Sequence, residues 1–240
     1  MSLYVISDTH LSLSASKPMD VFGARWEYYV EKIEQGFCKT VTDSDTVVIA
    51  GDISWGMSLE EATLDLKFIS NLPGRKIISR GNHDYWWTTL KKMYNHLEEN
   101  GVTNINFLQN NAYEVEDYVI CGTRGWYVDE KAGGVPKDTD YQKIVNREVK
   151  RLELSLSEGE KIRERTGKEI LTFFHFPPCF GNFVCRELID VLHKFGATRC
   201  YYGHIHGNYS ASKVTCFEGL SFTLTSSDFL DFTPLKVNEM

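Results

Sequence analysis

The chain has 240 residues and a formal net charge of −7, and this acidic balance argues against a broad basic surface for binding nucleic acid. Hydrophobic residues make up 42% of the sequence, which is enough for a buried core and excludes an intrinsically disordered chain. No run approaches the ~18 apolar residues of a membrane span and no signal peptide is recognisable, so we predict a cytoplasmic protein. The six scattered cysteines are interpreted as reduced, and one domain over residues 1–240 is expected.

Short apolar runs alternate with longer amphipathic stretches, which predicts strands alternating with helices. The predicted strands are residues 3–7, 46–50, 76–79, 105–108, 118–121, 170–174 and 199–202. Helices are predicted at about 20–40, 58–71, 86–99, 140–165 and 183–195, and Ser58-x-x-Glu61 matches a capping box. Residues 208–216 and 220–225 alternate around Glu218-Gly219, which predicts a closing hairpin, and residues 133–136 are interpreted as a loop.

Polar residues follow five of the predicted strands at the point where each strand ends. These groups are Asp8-Thr9-His10, Gly51-Asp52, Arg80-Gly81-Asn82-His83-Asp84, His175 and Gly203-His204-Ile205-His206. In open α/β sheets, ligands bind just outside the carboxyl ends of the strands. We therefore expect the five groups to converge on one site.

Each group has an ordinary structural explanation when it is taken alone. Asp8-x-His10 is commonly a loop with a hydrogen-bonded histidine, Gly51-Asp52 a turn or helix cap, and residues 81–84 a loop with an Asx turn. Together, however, the groups supply carboxylate, imidazole and amide ligands from successive strand ends. Oxygen and imidazole ligands without thiolate suit manganese, iron, zinc, cobalt or nickel.

The order of the five groups resembles the signature of the calcineurin-like metallophosphoesterases, and it extends from residue 8 to residue 206. The resemblance implies an α/β fold of four layers, a sandwich of two mixed sheets flanked by helices on both outer sides. It implies one metal ion bound by Asp8, His10, Asp52 and His206. It implies a second metal ion bound by Asn82, His175, His204 and the shared carboxylate of Asp52.

The same resemblance implies a dinuclear metal-dependent phosphohydrolase in which a hydroxide bridging the two ions attacks the phosphorus. Asp52 and His83 are the catalytic residues in this scheme, and His83 contacts the substrate and protonates the leaving group. Two divalent ions exceed the negative charge of Asp8, Asp52 and one hydroxide by about one unit. This surplus favours a small phosphorylated substrate.

The sequence departs from one branch of the family, the protein phosphatases, which carry Gly-Asp-x-x-Asp-Arg-Gly and Gly-Asn-His-Glu. Here the corresponding segments read Gly51-Asp52-Ile53-Ser54-Trp55-Gly56 and Gly81-Asn82-His83-Asp84. The aspartate that orients the histidine and the arginine that holds phosphate are missing, which argues against a phosphoprotein substrate, and Asp84 is a candidate substitute for the orienting residue. The sequence is more similar to the bacterial phosphodiesterase and unassigned phosphohydrolase branches of the family, and a phosphodiester, nucleotide-like esters included, is favoured over a monoester.

Two other functions stay open, a non-catalytic binding or scaffold protein on the same fold and a nuclease. The intact ligand set argues against the first, and the acidic charge with only 34 residues after His206 argues against the second. Trp55, Trp86 and Trp87 either form aromatic walls for a substrate or pack at the edge of the core. Arg80 and Arg124 either bind phosphate or make structural ion pairs. No oligomeric state is predicted.

Overall fold

The computed structural model describes residues 1–127 and 140–238, and the loop predicted at 133–136 lies outside them. In chain order the strands are β1 (Leu3–Ile6), β2 (Thr46–Ala50), β3 (Arg75–Ser79), β4 (Ile105–Phe107), β5 (Tyr113–Val115), β6 (Tyr118–Thr123), β7 (Glu169–Phe174), β8 (Cys179–Phe180), β9 (Phe183–Val184), β10 (Arg199–Tyr202), β11 (Val214–Phe217), β12 (Leu220–Leu224) and β13 (Leu235–Lys236). The α-helices are α1 (Tyr29–Thr40), α2 (Leu59–Asn71), α3 (Leu90–Glu99), α4 (Tyr141–Thr166) and α5 (Arg186–Phe195).

Two large sheets form the centre of the protein. The first has the strand order β13-β1-β2-β3-β4, and the second has the order β11-β12-β10-β7-β6-β5. Strands β1 to β4 are parallel, as are β12, β10, β7 and β6, whereas β13, β11 and β5 pair antiparallel at the sheet edges. Both sheets are therefore mixed, as predicted.

Alternation along the strands explains why the two sheets stack. In β1, Leu3 and Val5 point to a cluster shared with Leu171 and Phe173 of β7, so the inner faces of the sheets meet there. The neighbouring residues of β1 instead pack with α1, α2 and α3. The outer face of the second sheet packs with α4 and α5. The predicted four-layer α/β sandwich is confirmed.

Three predicted helices begin later than the sequence pattern indicated. Helix α1 begins at Tyr29, because residues 20–22 and 24–26 form two short 3₁₀ turns and Tyr28 has a left-handed backbone (φ 54°). Helix α3 begins at Leu90, where Thr89 accepts a hydrogen bond from the Lys92 N–H. Helix α5 begins at Arg186, since the preceding β9 pairs with β8.

The predicted cap and hairpin are both present. Ser58 accepts a hydrogen bond from the Glu61 N–H at the start of α2, although the Glu61 carboxylate returns to the Met57 N–H rather than to Ser58. Glu218 and Gly219 have φ values of 49° and 79°, the pattern of a type I′ turn between β11 and β12. The first strand of the hairpin begins only at Val214, because residues 208–213 form turns.

Across residues 1–127 and 140–238, no helix combines the length and the apolar character that crossing a lipid bilayer requires.

Candidate metal centre

The carboxyl ends of five strands lie at one edge of the two stacked sheets. Asp8 and His10 follow β1, Asp52 follows β2, and Asn82 and His83 follow β3 in the first sheet. His175 follows β7, and His204 and His206 follow β10, in the second sheet. All seven predicted ligands are therefore brought to one edge, and contacts between them join the two sheets.

The first group of candidate ligands consists of Asp8, His10 and His206. The Nε2 atoms of His10 and His206 face each other at 3.2 Å, and His206 Nε2 lies 3.5 Å from Asp8 Oδ1. Ligand atoms that are each about 2.1 Å from one ion lie about 3–3.5 Å apart, so this spacing matches a shared divalent ion. Asp8 and His10 are buried, whereas His206 is about one-third exposed.

The second group consists of Asp52, His175 and His204. His175 Nε2 lies 3.4 Å from Asp52 Oδ2 and 2.7 Å from the side-chain oxygen of Asn82. The carboxylate of Asp52 also approaches the first group, because the same Oδ2 atom is 3.7 Å from His10 Nε2. Asp52 is thus placed between the two groups, where one carboxylate can serve both.

Glycines in the motifs make room for the candidate ligands. A Cβ atom on Gly81 would lie 2.0 Å from Asp52 Oδ1, and a Cβ atom on Gly203 would lie 2.3 Å from Asp8 Oδ2. Either side chain would occupy the space of a carboxylate in a neighbouring loop. The glycine in each motif is therefore explained by the carboxylate of another motif.

Four candidate ligands have a strained backbone. The φ angles are 58° for Asp8, 46° for His10, 52° for Asp52 and 69° for His204, all in the left-handed region. Each such residue costs roughly 1–2 kcal/mol relative to ordinary backbone. Strain of this kind persists only where surrounding contacts impose it, and it concentrates at functional sites. The N–H groups of Asp8 and His10 donate to the carbonyls of Gly51 and Asp52, which fixes the β1 loop against the β2 loop.

Electrostatics keep most of the imidazoles neutral. Burial lowers the pKa of His175 to about 3 and holds the pKa of His10 well below its usual value. Burial opposes ionisation of Asp8, but the hydrogen bond and charge of His206, with His175 and His10 nearby, hold the pKa of Asp8 well below normal. Burial and the charges of Asp84 and Asp8 raise the pKa of Asp52. The site thus combines buried carboxylates with neutral imidazoles. Divalent cations would supply the positive charge that balances these carboxylates.

The family model of calcineurin-like phosphoesterases matches residues 1–208, which include every candidate ligand. This chain belongs to the calcineurin-like phosphoesterase family. The family implies a metal-dependent hydrolase, and the two groups of candidate ligands fit that requirement because they consist of oxygen and imidazole donors without thiolate.

Solved structures share the fold of this phosphoesterase. A protein of unknown function from Aquifex aeolicus, AQ665, is 17% identical with a TM-score of 0.52, and the alignment covers 99% of this chain and 96% of that chain. TT1561 of Thermus thermophilus is 8% identical with a TM-score of 0.56, covering 98% of this chain and 97% of that chain. Among curated proteins, none gives a significant match to the sequence. The likeness to these structures concerns the fold alone.

Asp84 does not have the role suggested for it from the sequence. Its buried carboxylate accepts hydrogen bonds from the Trp86 indole and from four backbone N–H groups, those of Gly81, Asp52, Ile53 and Ser54. The interpretation that Asp84 orients the imidazole of His83 is wrong, and the His83 Nδ1 atom has no hydrogen-bond partner among the described residues. In this phosphoesterase Asp84 instead fixes the β2 loop against the β3 loop.

Two residues of the site were missed in the sequence. The fully buried Asp228 accepts a hydrogen bond from His206 Nδ1 at 2.9 Å and from the Gly207 N–H at 3.0 Å. Ser7 donates to Asp8 Oδ2 at 2.5 Å. Burial lowers the pKa of His206, but its hydrogen bonds to Asp228 and Asp8 outweigh burial and raise this pKa to about 10. In the sequence the polar run 225–228 directly follows the residues of β12, but the parallel pairing of β12 with β10 that brings this run to the site is seen only in the structure.

A pocket of about 280 Å³, which we call the aromatic pocket, opens beside the candidate ligands. Its walls include aromatic side chains from the 3₁₀ turns and from two loops: Phe22, Trp26, Trp55 and Tyr209. Trp55 stacks on His10 with ring centroids 5.1 Å apart and lies 4.2 Å from the ring of His83. Trp86 and Trp87 are buried and pack in the core of the first sheet. Of the three tryptophans considered from the sequence, only Trp55 lines this pocket.

His83 lies between the candidate ligands and the pocket. The backbone N–H of His83 donates to Asp52 Oδ1 at 2.8 Å, and the imidazole ring lines the pocket. Burial lowers the pKa of His83, so the free imidazole is neutral at pH 7. Arg80 and Arg124 do not line this pocket but line a second cavity.

Proposed function

We propose that the protein is a dinuclear metal-dependent phosphohydrolase that cleaves a small phosphodiester in preference to a phosphomonoester. Asp8, His10, Asp52 and His206 would hold one metal ion, and Asn82, His175, His204 and Asp52 the other. The observation that carries the proposal is the position of Asp52 Oδ2, 3.7 Å from His10 Nε2 and 3.4 Å from His175 Nε2. When bound, two divalent ions activate water and neutralise charge on the phosphoester oxygens.

The preference for a diester is supported by the pocket beside the ligands. Among the described residues that line it, none is lysine or arginine, and aromatic rings form much of its wall. A dianionic monoester gains most from arginine or lysine near its free oxygens. A monoanionic diester with an apolar or aromatic substituent fits this wall better.

The role proposed for His83 is proton donation to the departing oxygen. The ring borders the pocket, and the bond from the His83 N–H to Asp52 fixes the backbone that carries it. The imidazole is neutral in the free protein, so the negative charge of a bound phosphoester would be needed to favour its protonated form. Trp55 packs against the ring and limits its orientation.

The principal test is Asp52→Asn in manganese-loaded protein, with bis-p-nitrophenyl phosphate as substrate. Loss of a carboxylate that only orients a metal ligand lowers metal affinity or activity by about 10–100-fold. Asp52 would bind both ions directly, so its substitution should lower kcat/KM by more than about 100-fold. The matched control is Asp190→Asn, an exposed position on α5. Near-native activity of Asp52→Asn would refute the proposed centre, and a preference for p-nitrophenyl phosphate would refute the diesterase assignment.

His83→Gln provides a separate test of the proton donor. A good leaving group such as p-nitrophenolate departs without a proton, whereas an alkoxide does not. We expect the loss in kcat to be at least about tenfold greater for an alkyl ester than for the nitrophenyl ester. Equal losses on the two esters would contradict proton donation by His83.

A further inference from the structure

A second cavity, of about 350 Å³, lies between the carboxyl ends of β3, β4 and β6 and the beginning of α3. We call it the arginine cavity. Its lining includes Arg80, Trp87, Thr89, Gln109, Arg124 and Arg151. None of the residues that line the aromatic pocket also lines this cavity, among those that the structure describes.

The arginine cavity contains more positive than negative charge. The carboxylate of the buried Glu148 lies 2.8 Å from Arg151, 3.2 Å from Arg147 and 3.8 Å from Arg124. Its other oxygen accepts a hydrogen bond from Thr123. Arg80, which also lines the cavity, adds a fourth guanidinium group, and the carboxylate of Asp84 is already bonded to five donors of its own loops.

Part of the donor capacity of these arginines is unused. The Nε atoms of Arg80 and Arg124 are buried and have no hydrogen-bond partner among the described residues. A buried donor without an acceptor is costly, and more so when it is charged. Glu148 therefore does not use the whole donor capacity of Arg80 and Arg124.

The first turn of α3 adds to the positive potential. Thr88 and Thr89 line the cavity directly before Leu90, the first residue of the helix. The Thr89 hydroxyl accepts from the Lys92 N–H, and the first turn carries no acidic residue. The exposed N–H groups and the dipole at a helix N-terminus favour an anion.

The cavity borders the proposed metal ligands. Arg80 lies two residues before Asn82, and the carbonyl of Arg124 accepts a hydrogen bond from the N–H of Phe176, the residue after His175. The Arg124 guanidinium is 5.8 Å from the centre of the Phe176 ring, which is 4.5 Å from the ring of His204. A single aromatic ring therefore separates Arg124 from His204.

We propose that the arginine cavity binds a second phosphate group of the substrate, an inference that rests on the proposed phosphodiesterase function. A phosphate dianion offers several acceptor oxygens, which matches three guanidinium groups and a helix N-terminus. The substrate class is thus a phosphodiester that carries a further phosphate on one of its two substituents.

The first experiment measures phosphate binding by calorimetry, with inorganic phosphate titrated into manganese-loaded protein. Wild-type protein should bind two phosphates per chain, one at the metal centre and one in the cavity. Arg124→Gln and Arg151→Gln, the second at a more exposed position, should each bind only one phosphate. Arg165 is a surface residue paired with Glu114, and Arg165→Gln should still bind two. Binding of only one phosphate by the wild type, or of two by both cavity variants, would overturn the proposal.

The second experiment distinguishes a substrate phosphate from free phosphate. It uses p-nitrophenyl phosphodiesters of alkanediols of increasing length, each with and without a phosphate on the far hydroxyl. At one or more lengths, the added phosphate should raise kcat/KM of the wild type by about tenfold or more. Arg124→Gln and Arg151→Gln should lose that preference, and Arg165→Gln should retain it.

The two proposals fail in different ways. A wild type that shows no preference at any length, while hydrolysing the simple diesters, overturns the cavity proposal and leaves the phosphodiesterase function standing. A wild type that binds two phosphates but hydrolyses none of the diesters refutes the function and with it the assignment of the cavity to a substrate.

Discussion

Asp228 is fully buried and accepts hydrogen bonds from His206 Nδ1 and from the Gly207 N–H. The first bond fixes the tautomer in which Nε2 faces Asp8 and His10, and a carboxylate in this position raises the basicity of the imidazole. In Asp228→Asn the negative charge is removed while the shape of the side chain is kept. We expect metal affinity to fall by about 10–100-fold, measured by manganese titration against a competing chelator.

The control for this substitution is Asp231→Asn, in the same segment of the chain. Asp231 is 79% exposed and forms an ion pair with Arg25 at 3.4 Å, and it belongs to neither group of candidate ligands. The affinity of Asp231→Asn for manganese should equal that of the wild type. Equal affinities for Asp228→Asn and wild type would show that His206 does not depend on Asp228.

The five polar groups that follow five apolar runs predicted a shared site, and the resemblance to the calcineurin-like family implied which of their residues are the ligands. Asp228 was not found, since its polar run follows a strand that the sequence presented as half of a hairpin. Only the structure shows that β12 also lies parallel to β10, so that its end reaches the same edge. Asp84 was found but misinterpreted, because a sequence does not tell which donors a carboxylate meets.

The loops after the strands act as a unit, and Gly81 shows how closely they are packed. A Cβ atom on Gly81 would lie 2.0 Å from Asp52 Oδ1 and 2.3 Å from the Asp52 backbone nitrogen. Gly81→Ala must therefore displace the loop that carries Asp52. Overpacking of this kind costs about 1–3 kcal/mol of unfolding free energy, and we expect fewer than two manganese ions per chain by elemental analysis.

Gly101→Ala serves as the control for the loop substitution. Gly101 has a φ of 72° and nothing within 4 Å of its added Cβ, so only backbone strain of roughly 1–2 kcal/mol is expected. Metal content should remain that of the wild type. A Gly81→Ala variant with full metal content would show that the β2 and β3 loops have more room than the structure indicates.

Elements were predicted with uneven accuracy, for physical reasons. The bounds of β2 and β10 agree with the predicted runs, because these buried parallel strands are mostly apolar and each is followed by a glycine and a candidate ligand. The start of α1 was placed too early, since apolar residues of the 3₁₀ turns continue the helical spacing. Those turns carry Phe22 and Trp26 to the aromatic pocket, so the missed feature belongs to the site.

Each group of candidate ligands draws on both sheets of the sandwich. Asp8 and His10 come from the first sheet and meet His206 from the second, and Asp52 from the first sheet meets His175 and His204 from the second. Bound metal ions would therefore join the two sheets in addition to the apolar layer between them. Their contribution should appear in the stability of the whole protein, because neither sheet holds a complete group by itself.

Chelation should consequently destabilise both sheets together. At a free-metal concentration of 100 times Kd, each filled site adds about 2.7 kcal/mol. Loss of one ion corresponds to a fall in Tm of roughly 5–10 °C, and loss of both to about twice that. Scanning calorimetry with and without chelator measures the shift, and hydrogen exchange should show lost protection in β1 and β2 as well as in β7 and β10. Asp52→Asn should show a smaller shift, since its centre is already impaired. A shift of equal size in that variant, or lost protection confined to one sheet, would contradict a metal centre that joins the two sheets.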